Sequence, residues 1–597
     1  MQPTGAIAAG TGTYTNPLRP HIPGDGVVGS CADPTVFRGH TAGDNHWYMF
    51  CTSDPLSDTD KTGTDFNFHN IPMMRSLDLV HWTYVGDAFA SLPTLADPGA
   101  HLWAPEVTYS TTYHQYYLFY VVTDVADAAS PEPGCHNDNA IGVATSTSPT
   151  GPWTAQPTPV VGPRSNGGTC NYFWTFDPDV LRDVNATSSY LYYGSYYGGI
   201  WARPLTLTAT GAMTAPAETQ ITIANRYEGA DVVQRGGYYY LFASAANCCN
   251  GPLTGYSVFA GRSTSPLGPY VDREGNSLLA GRVGGTPVIS MNGNKWVGTG
   301  HNTVFRDFSG QWWTIYHAVN RFDPYFAGAP GFTKRPPLLD PLDWVNGWPT
   351  VRGGLWASAT PMPAPAAQPG QTTAYTPTYF HPDVAHNKIG YASDEFNSQR
   401  LHPRWSWVRP PATTEYGLGD GTFRFDTQAA DLYQDSNNAS VLTENAPAGD
   451  YMVETRVKLN LPPEGCCFNY VQAGLVVYGD DDNFIKLAHV SIYETRQTEF
   501  AKEMFPVPTG YPRYGNTVVG PPAEWTYLRI AKRTVLGTER YTAYTSQDGM
   551  RWVHGGTWTH TLGSTAKIGL ISMGGTGFVA NFDYVRVYRL AEYAGGR

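Results

Sequence analysis

Basic residues are scarce in this chain. Its 597 residues hold 38 Lys and Arg against 50 Asp and Glu, a formal net charge of −12. A protein that grips phosphates needs a basic face, so nucleic acid is not the expected partner. A polyanion such as a pectate backbone is a poor main ligand for the same reason. Long apolar runs are missing too: none approaches the ~18 residues of a membrane span. Met1-Gln2-Pro3-Thr4-Gly5 has neither the basic nor the apolar part of an export signal. No cysteine spacing matches a zinc site. With only 15% charged residues, the composition argues against coiled coil and disorder.

What is abundant points one way. The chain holds 64 Gly and 47 Pro, and 14% of it is aromatic. Many turn formers with many Tyr and Trp suit an all-β protein of at least two domains. Neutral carbohydrate is the ligand class left, since Trp and Tyr faces stack on sugar C–H surfaces, although most of these rings must be sheet core. The cysteines are eight, with two adjacent pairs, Cys248-Cys249 and Cys466-Cys467, beside Cys31, Cys51, Cys135 and Cys170. Their even count and the low Lys content fit an exported, disulfide-bonded protein. Either the protein is cytoplasmic or its signal has been removed, and the cysteines favour the second, so secretion is the expectation. Connectivity stays open: adjacent cysteines either form a local ring or pair elsewhere.

A short aromatic strand recurs as Trp47-Tyr48-Met49-Phe50, Tyr116–Tyr120, Tyr190–Tyr193, Tyr238–Phe242 and Trp312–Tyr316, each copy ending in small or polar residues. Ser146-Thr147-Ser148-Pro149-Thr150-Gly151-Pro152-Trp153 and Ser263-Thr264-Ser265-Pro266-Leu267-Gly268-Pro269-Tyr270 follow two of them, with Ser76–Trp82 a looser form. Pro and Gly turn the chain there and the aromatic packs back on the sheet. Five strand-rich units closed in a ring describe a five-bladed β-propeller over residues 1–360. The Pro-rich stretch opening residues 361–390 reads as a linker. From 391 to 597, strands such as Tyr451–Leu459, Ala473–Tyr478 and Phe582–Tyr588 predict a β-sandwich.

Propellers bind ligands at the mouth of the central channel, where inner strands deliver side chains. Asp33 stands 14 residues before the first aromatic strand, Asp177 13 before the third and Glu228 10 before the fourth. Glu106, in Trp103-Ala104-Pro105-Glu106, is the expected match in the second unit, and His301 stands in the fifth. Asp before Pro often does no more than make a turn. Carboxyls at equivalent positions around one axis, however, would repel and lose hydration, which a purely structural ring gains nothing from. Glycoside cleavage needs such a set: one carboxyl kept protonated for the leaving oxygen and one ionised to activate water.

These residues resemble glycoside hydrolase family 43. The resemblance is carried by Ala32-Asp33-Pro34, Trp103-Ala104-Pro105-Glu106, Phe176-Asp177-Pro178, Tyr227-Glu228-Gly229 and Gly298-Thr299-Gly300-His301-Asn302. The run Asn247-Cys248-Cys249-Asn250-Gly251 looks most like the arabinanase branch. The resemblance implies Asp33 as general base, Glu228 as general acid and Asp177 as the group tuning that acid. It implies inversion, with a carboxyl gap of about 6.5–9.5 Å between Asp33 and Glu228. It also implies His301 directed at a structural calcium at the propeller centre, whose shell waters would have to fill. Trp103, Glu106, Phe176 and Arg321 are the candidates for substrate contact. Glu228-Gly229-Ala230-Asp231 departs from the proline and aromatic that commonly follow the family's acid.

Ser393–Asn397 with Trp405, and Gln472–Tyr478, resemble concanavalin-like modules that bind glycan, lend a loop to the active site or only stabilise. The expectation is a monomeric enzyme cleaving α-L-arabinofuranosyl linkages, without nucleic-acid or membrane partners. A galactofuranosidase or β-xylosidase would use the same carboxylates. A lectin-like propeller would bind without cutting. The insert Asp124–Asn139 would wall one end of the cleft and favour exo action.

Overall fold

The structure, a computed structural model, describes residues 12–181 and 189–591; Met1–Gly5 lies outside them. Five four-stranded antiparallel blades form the first part. Blade 1 is Thr35–Arg38, Trp47–Phe50, Pro72–Ser76 and Trp82–Asp87. Blade 2 is Leu102–Ser110, Gln115–Val122, Ala140–Ser146 and Thr154–Ala155. Blade 3 is Asp179–Leu181, Ser189–Tyr193, Trp201–Thr208 and Gly211–Thr214, with Thr219–Gln220 added to Trp201–Thr208. Blade 4 is Glu228–Arg235, Tyr238–Ala245, Ser257–Ser263 and Thr286–Ile289, and blade 5 is Trp296–Arg306, Trp312–Asn320, Pro337–Val345 and Trp348–Val351. The first strands neighbour one another in cyclic order around an axis.

The recurrent aromatic run is the second strand of every blade, and its lack of polar alternation has a physical cause. Each blade is covered on both faces by neighbours, so alternate residues feed two different cores. Tyr116, Leu118 and Tyr120 pack with Phe37, Tyr48 and Phe50 of blade 1. Tyr117, Phe119 and Val121 pack with Leu191 and Tyr193 of blade 3. The pattern continues through Tyr192 with Leu241, Phe242 with Tyr316 and Ile315 with Trp47 and Met49. The last pairing closes the ring. Trp82, Trp153 and Tyr270, each at the end of its turn motif, are buried as the motif requires.

Among the described residues no strand is exchanged between blades 1 and 5; the seam is strapped instead. Thr13–Tyr14 pairs with Met362–Pro363 across it, and Tyr14 and Asn16 donate to the Leu339 carbonyl. The first part of the Pro-rich stretch is therefore not a free spacer. Ala366 and Ala367 are buried; the Ala366 N–H donates to Asp307 (3.0 Å) and the Trp47 indole to the Ala367 carbonyl (2.9 Å). Composition hid this because prolines leave few donors, and the partners lie on distant strands.

The second part is a sandwich. One sheet has the order Tyr416–Gly419, Thr422–Asp426, Val579–Leu590, Tyr451–Leu459, Thr526–Val535, Thr538–Ser546 and Val553–His560, with Ala385–Lys388 paired to Val579–Leu590. The other runs Ser406–Val408, Val441–Asn445, Lys567–Met573, Gln472–Asp480, Asn483–Ile492, Thr495–Glu503 and Tyr514–Val518. Their facing residues, Phe423, Val453, Leu475, Leu487, Leu528 and Ile568 among them, form its core. Disulfides join Cys31 to Cys51, Cys135 to Cys170, Cys248 to Cys249 and Cys466 to Cys467.

Asp307 is a buried hub that also accepts from the Trp313 indole (2.9 Å) and from the Ser309 and Gln311 amides. Asp307→Ala orphans these donors and releases the strap. It is expected to cost about 3 kcal/mol, seen as a lowered denaturant midpoint; an unchanged midpoint would show that the strap does not hold the seam.

Candidate active site

Three blades enter the axis through a residue in the left-handed region followed by proline: Asp33 (φ 51°), Ala104 (φ 42°) and Asp177 (φ 54°). Blade 4 uses Gly229 (φ 62°) at a bulge between Glu228 and Asp231. Such non-glycine conformations persist only where the surroundings dictate them, and they concentrate at functional sites. They also correct one sequence expectation. The blade-2 counterpart of Asp33 and Asp177 is Ala104, not Glu106. Glu106 stands two residues further along, where its carboxylate accepts from Thr35 Oγ1 (2.7 Å). With Thr35, Asp179 and Asp231 it lines an axial cavity of about 470 Å³ that reaches His301.

Asp33, Asp177, Glu228 and His301 come together at the head of this cavity. Asp33 Oδ2 accepts from Thr52 Oγ1 (2.6 Å), and Oδ1 lies 3.4 Å from Arg335 Nη1 and 3.5 Å from His301 Nδ1. Its N–H donates to Nδ1 of the buried His317 (3.2 Å). Burial pushes the Asp33 carboxyl up, but Arg335, then His301 and His317, outweigh it and hold it well below the usual carboxylate range. His317 is driven well below its ordinary value by burial and by Arg335, so it stays neutral. His301 is the opposite case. Burial works against its charge, but the bond to Asp33 and the nearby Asp177 push it up to about 9.

Glu228 is held by Ser195 Oγ on Oε2 and by the Tyr256 hydroxyl on Oε1, both at 2.6 Å. Burial, then the charge of Asp177, push it up to about 7. Asp177 is itself pushed up, by burial first, with His301 opposing and Asp33 assisting. It accepts the Gly229 N–H (2.9 Å), which fixes the backbone beside Glu228. Gly229 is required there: besides its positive φ, a Cβ would lie 3.0 Å from the His301 ring. The sequence departure after Glu228 thus makes room for His301.

Sequence reasoning missed Arg335, His317, Tyr256, Thr52 and Ser195. Thr52 and Ser195 had a signal, because each stands two residues after an aromatic strand, in the small or polar stretch that characterises the repeat. Arg335, Tyr256 and His317 had none at that level. Of the proposed contact residues, Trp103 and Phe176 meet edge to face at 5.6 Å, and Trp174, 41% exposed, stacks on Phe176 beside Asp177. Arg321 does not join them. Its guanidinium donates to Thr559 of the sandwich and lines a separate pocket.

A cation at His301 would favour the neutral ring and would be held through its waters. Asp179 and Asp231 accept the Val232 and Val304 amides. Among the described residues, the one trio of closely spaced ligand atoms is Glu132, Cys135 and Cys170, whose sulfurs are already joined.

At the axis of this five-bladed propeller, one carboxyl biased toward its protonated form and one held ionised are what glycoside cleavage requires. Residues 26–349 match the glycosyl hydrolases of family 43 and residues 393–587 the concanavalin A-like C-terminal domain of β-xylosidases. The chain belongs to glycoside hydrolase family 43, whose members invert. It is 29% identical over 327 residues to the extracellular endo-α-(1→5)-L-arabinanase 1 of Bacillus subtilis, covering 53% of this chain and 86% of that one. To the extracellular exo-α-(1→5)-L-arabinofuranosidase ArbA of Cellvibrio japonicus it is 28% identical over 348 residues, 53% and 85% of the two chains. To the arabinan endo-1,5-α-L-arabinosidase C of Emericella nidulans it is 30% identical over 283 residues, 45% and 80%.

Because Glu228 must be protonated and Asp33 ionised, kcat/KM is expected to stay level through the mildly acidic range and fall as pH rises through about 7. Asp177→Asn removes the negative neighbour and should move this basic limb to lower pH while lowering kcat. A loss equal at every pH would show that Asp177 only shapes the backbone.

Proposed function

We propose that this protein hydrolyses α-L-arabinofuranosyl linkages of arabinan or another arabinose-containing polysaccharide, with inversion. The observation that carries the hydrolase part of this reading is the pairing of Glu228, held by neutral hydroxyls and pushed up to about 7, with Asp33, held ionised beside Arg335. The proton on Glu228 passes to the leaving glycosidic oxygen. Asp33 takes a proton from a water on the opposite face of the sugar, and that water bonds to the anomeric carbon. Burial, then the charge of Asp177, favour the proton on Glu228, and Asp177 also holds Gly229 in place. The relatives named for arabinan support the sugar, and the extracellular ones support a secreted enzyme; we take it to act as a monomer. A structural calcium would sit, water-shelled, below His301. No helix among the described residues is long and apolar enough to cross a membrane.

A β-xylosidase is the second reading, favoured by the match of residues 393–587 to a β-xylosidase C-terminal domain. Release of 4-nitrophenol from α-L-arabinofuranoside, β-D-galactofuranoside and β-D-xyloside, beside debranched arabinan with product sizing, separates them. The arabinofuranoside and arabinan are expected to be cut, with Glu228→Gln losing at least about 10²-fold in kcat on arabinan while binding is kept. Turnover of the xyloside alone would move the substrate, and binding without turnover on every glycoside would reject the hydrolase reading. Monomer rather than oligomer products would mark exo action.

A further inference from the structure

Away from the axis, a second, open pocket of about 370 Å³ lies on the sandwich where Arg321 of blade 5 meets it, within the size range of small-ligand sites. Arg321 lines it from the propeller; Lys502, Phe505, Thr559 and His560 line it from the sandwich. Lys502 is 7% exposed. Among the described residues it has no carboxylate within ion-pair distance, whereas the buried Lys486 on the neighbouring strand faces Glu499 at 3.6 Å. The Nε atoms of Arg321 and of the adjacent Arg540 are buried with no hydrogen-bond partner.

The nearby acids are engaged elsewhere. Glu539 accepts the Leu562 amide (2.8 Å) and the Tyr541 hydroxyl (3.0 Å). Asp480 accepts Asn483 Nδ2 (3.0 Å) and the Asp482 amide (2.9 Å). Glu503, next to Lys502 on a strand and so on its opposite face, accepts the Gln434 amide (2.9 Å) and lies 3.6 Å from Arg513. His560 donates Nε2–H to the Glu503 carbonyl (2.7 Å) and accepts the Thr561 amide on Nδ1 (2.8 Å); it is neutral, pushed down to about 4 by burial and by Lys502. Burial, then Arg321, pull Lys502 down to about 7. A chain of net charge −12 has thus gathered unpaired cations in one cleft, an arrangement that costs stability unless an anion completes it.

We propose that this cleft binds a carboxylate-bearing sugar, a uronic-acid residue of a polysaccharide, as a site separate from the catalytic mouth. Lys502 and Arg321 take the carboxylate by charge-assisted hydrogen bonds. The Thr559 hydroxyl is within the same pocket for the sugar hydroxyls. Phe505, 47% exposed and with Arg513 over its ring, lines the same pocket. One carboxylate, not a polyanion, suits a small basic pocket on an otherwise acidic protein.

The test is calorimetric titration of the full chain with methyl β-D-glucuronide, methyl β-D-glucoside and sulfate. The glucuronide is expected to bind about ten-fold tighter than the glucoside at pH 6. That preference should shrink at pH 9, where Lys502 is free to lose its proton, and vanish in Lys502→Met but survive in Lys502→Arg. Lys502→Met should also raise the thermal midpoint without ligand and leave nitrophenyl glycoside hydrolysis unchanged, which shows that it is folded. Equal binding of glucuronide and glucoside, sulfate binding as tightly as the glucuronide, or a preference kept in folded Lys502→Met would each overturn the proposal.

Discussion

The approach of Arg335 to Asp33 across the seam between blades 5 and 1 is the contact on which the rest depends. An ionised carboxylate withdrawn from water is costly unless a cation and hydrogen bonds answer it. Arg335 supplies the charge, and its backbone closes the ring: its N–H donates to Ser30 Oγ and its carbonyl accepts the Cys31 N–H (3.0 Å). Ser30 in turn donates to Asp54 (2.8 Å), which lies 3.7 Å from the same guanidinium. The general base is therefore part of the joint that holds the first blade to the last, and a ring that failed to close would leave Asp33 without its cation.

With Asp33 fixed as the negative pole, the rest of the site divides protons by environment. Glu228 and Asp33 are both buried carboxyls. Glu228 has Ser195 and Tyr256 but, among the described residues, no cation within ion-pair distance, while Asp33 has Arg335 and His301. Neutral hydroxyl donors lower a buried acid only slightly, so burial and Asp177 prevail on one side and cations prevail on the other. His301 lies between, its charge drawn from all three acids, and it moderates the repulsion that would otherwise protonate Asp177 as well.

The propeller and most of its chemistry were legible in the sequence because the repeat leaves two kinds of trace. Aromatic second strands serve two cores at once and so cannot alternate, which made five copies visible. Asp33, Asp177 and Glu228 could be found because each precedes its strand by a similar interval. Counting intervals does not register a bulge, and that is how Glu106 came to be matched with Asp33 when Ala104 holds the place. Arg335, Tyr256 and His317 were illegible for another reason. They reach the axis from later strands and connections of their blades, and only the closed ring brings them to it. Arg321 read as a substrate contact for want of any sequence sign that its side chain turns toward the sandwich.

The joint between propeller and sandwich left no pattern either, because it is made largely of backbone. A Cβ on Gly255 would fall 1.6 Å from the Asn516 carbonyl oxygen, and one on Gly515 2.2 Å from that of Leu253. Bridges join Asn292 to Thr557 and Arg282 to Arg496, and His554 is stacked between Trp356 and Phe380 at 4.3 and 3.9 Å. Contacts of this kind fix relative position more tightly than a sliding apolar face would, because each glycine admits one approach and each bridge one register. The sandwich is thereby part of the same body as the blades, and a wall of the cleft at Arg321 is set by the strand pairing that positions Thr557 and Thr559. A sugar held there would stand at a constant distance from Asp33 and Glu228, so binding in the cleft would act on where the polysaccharide lies, not on the shape of the catalytic site.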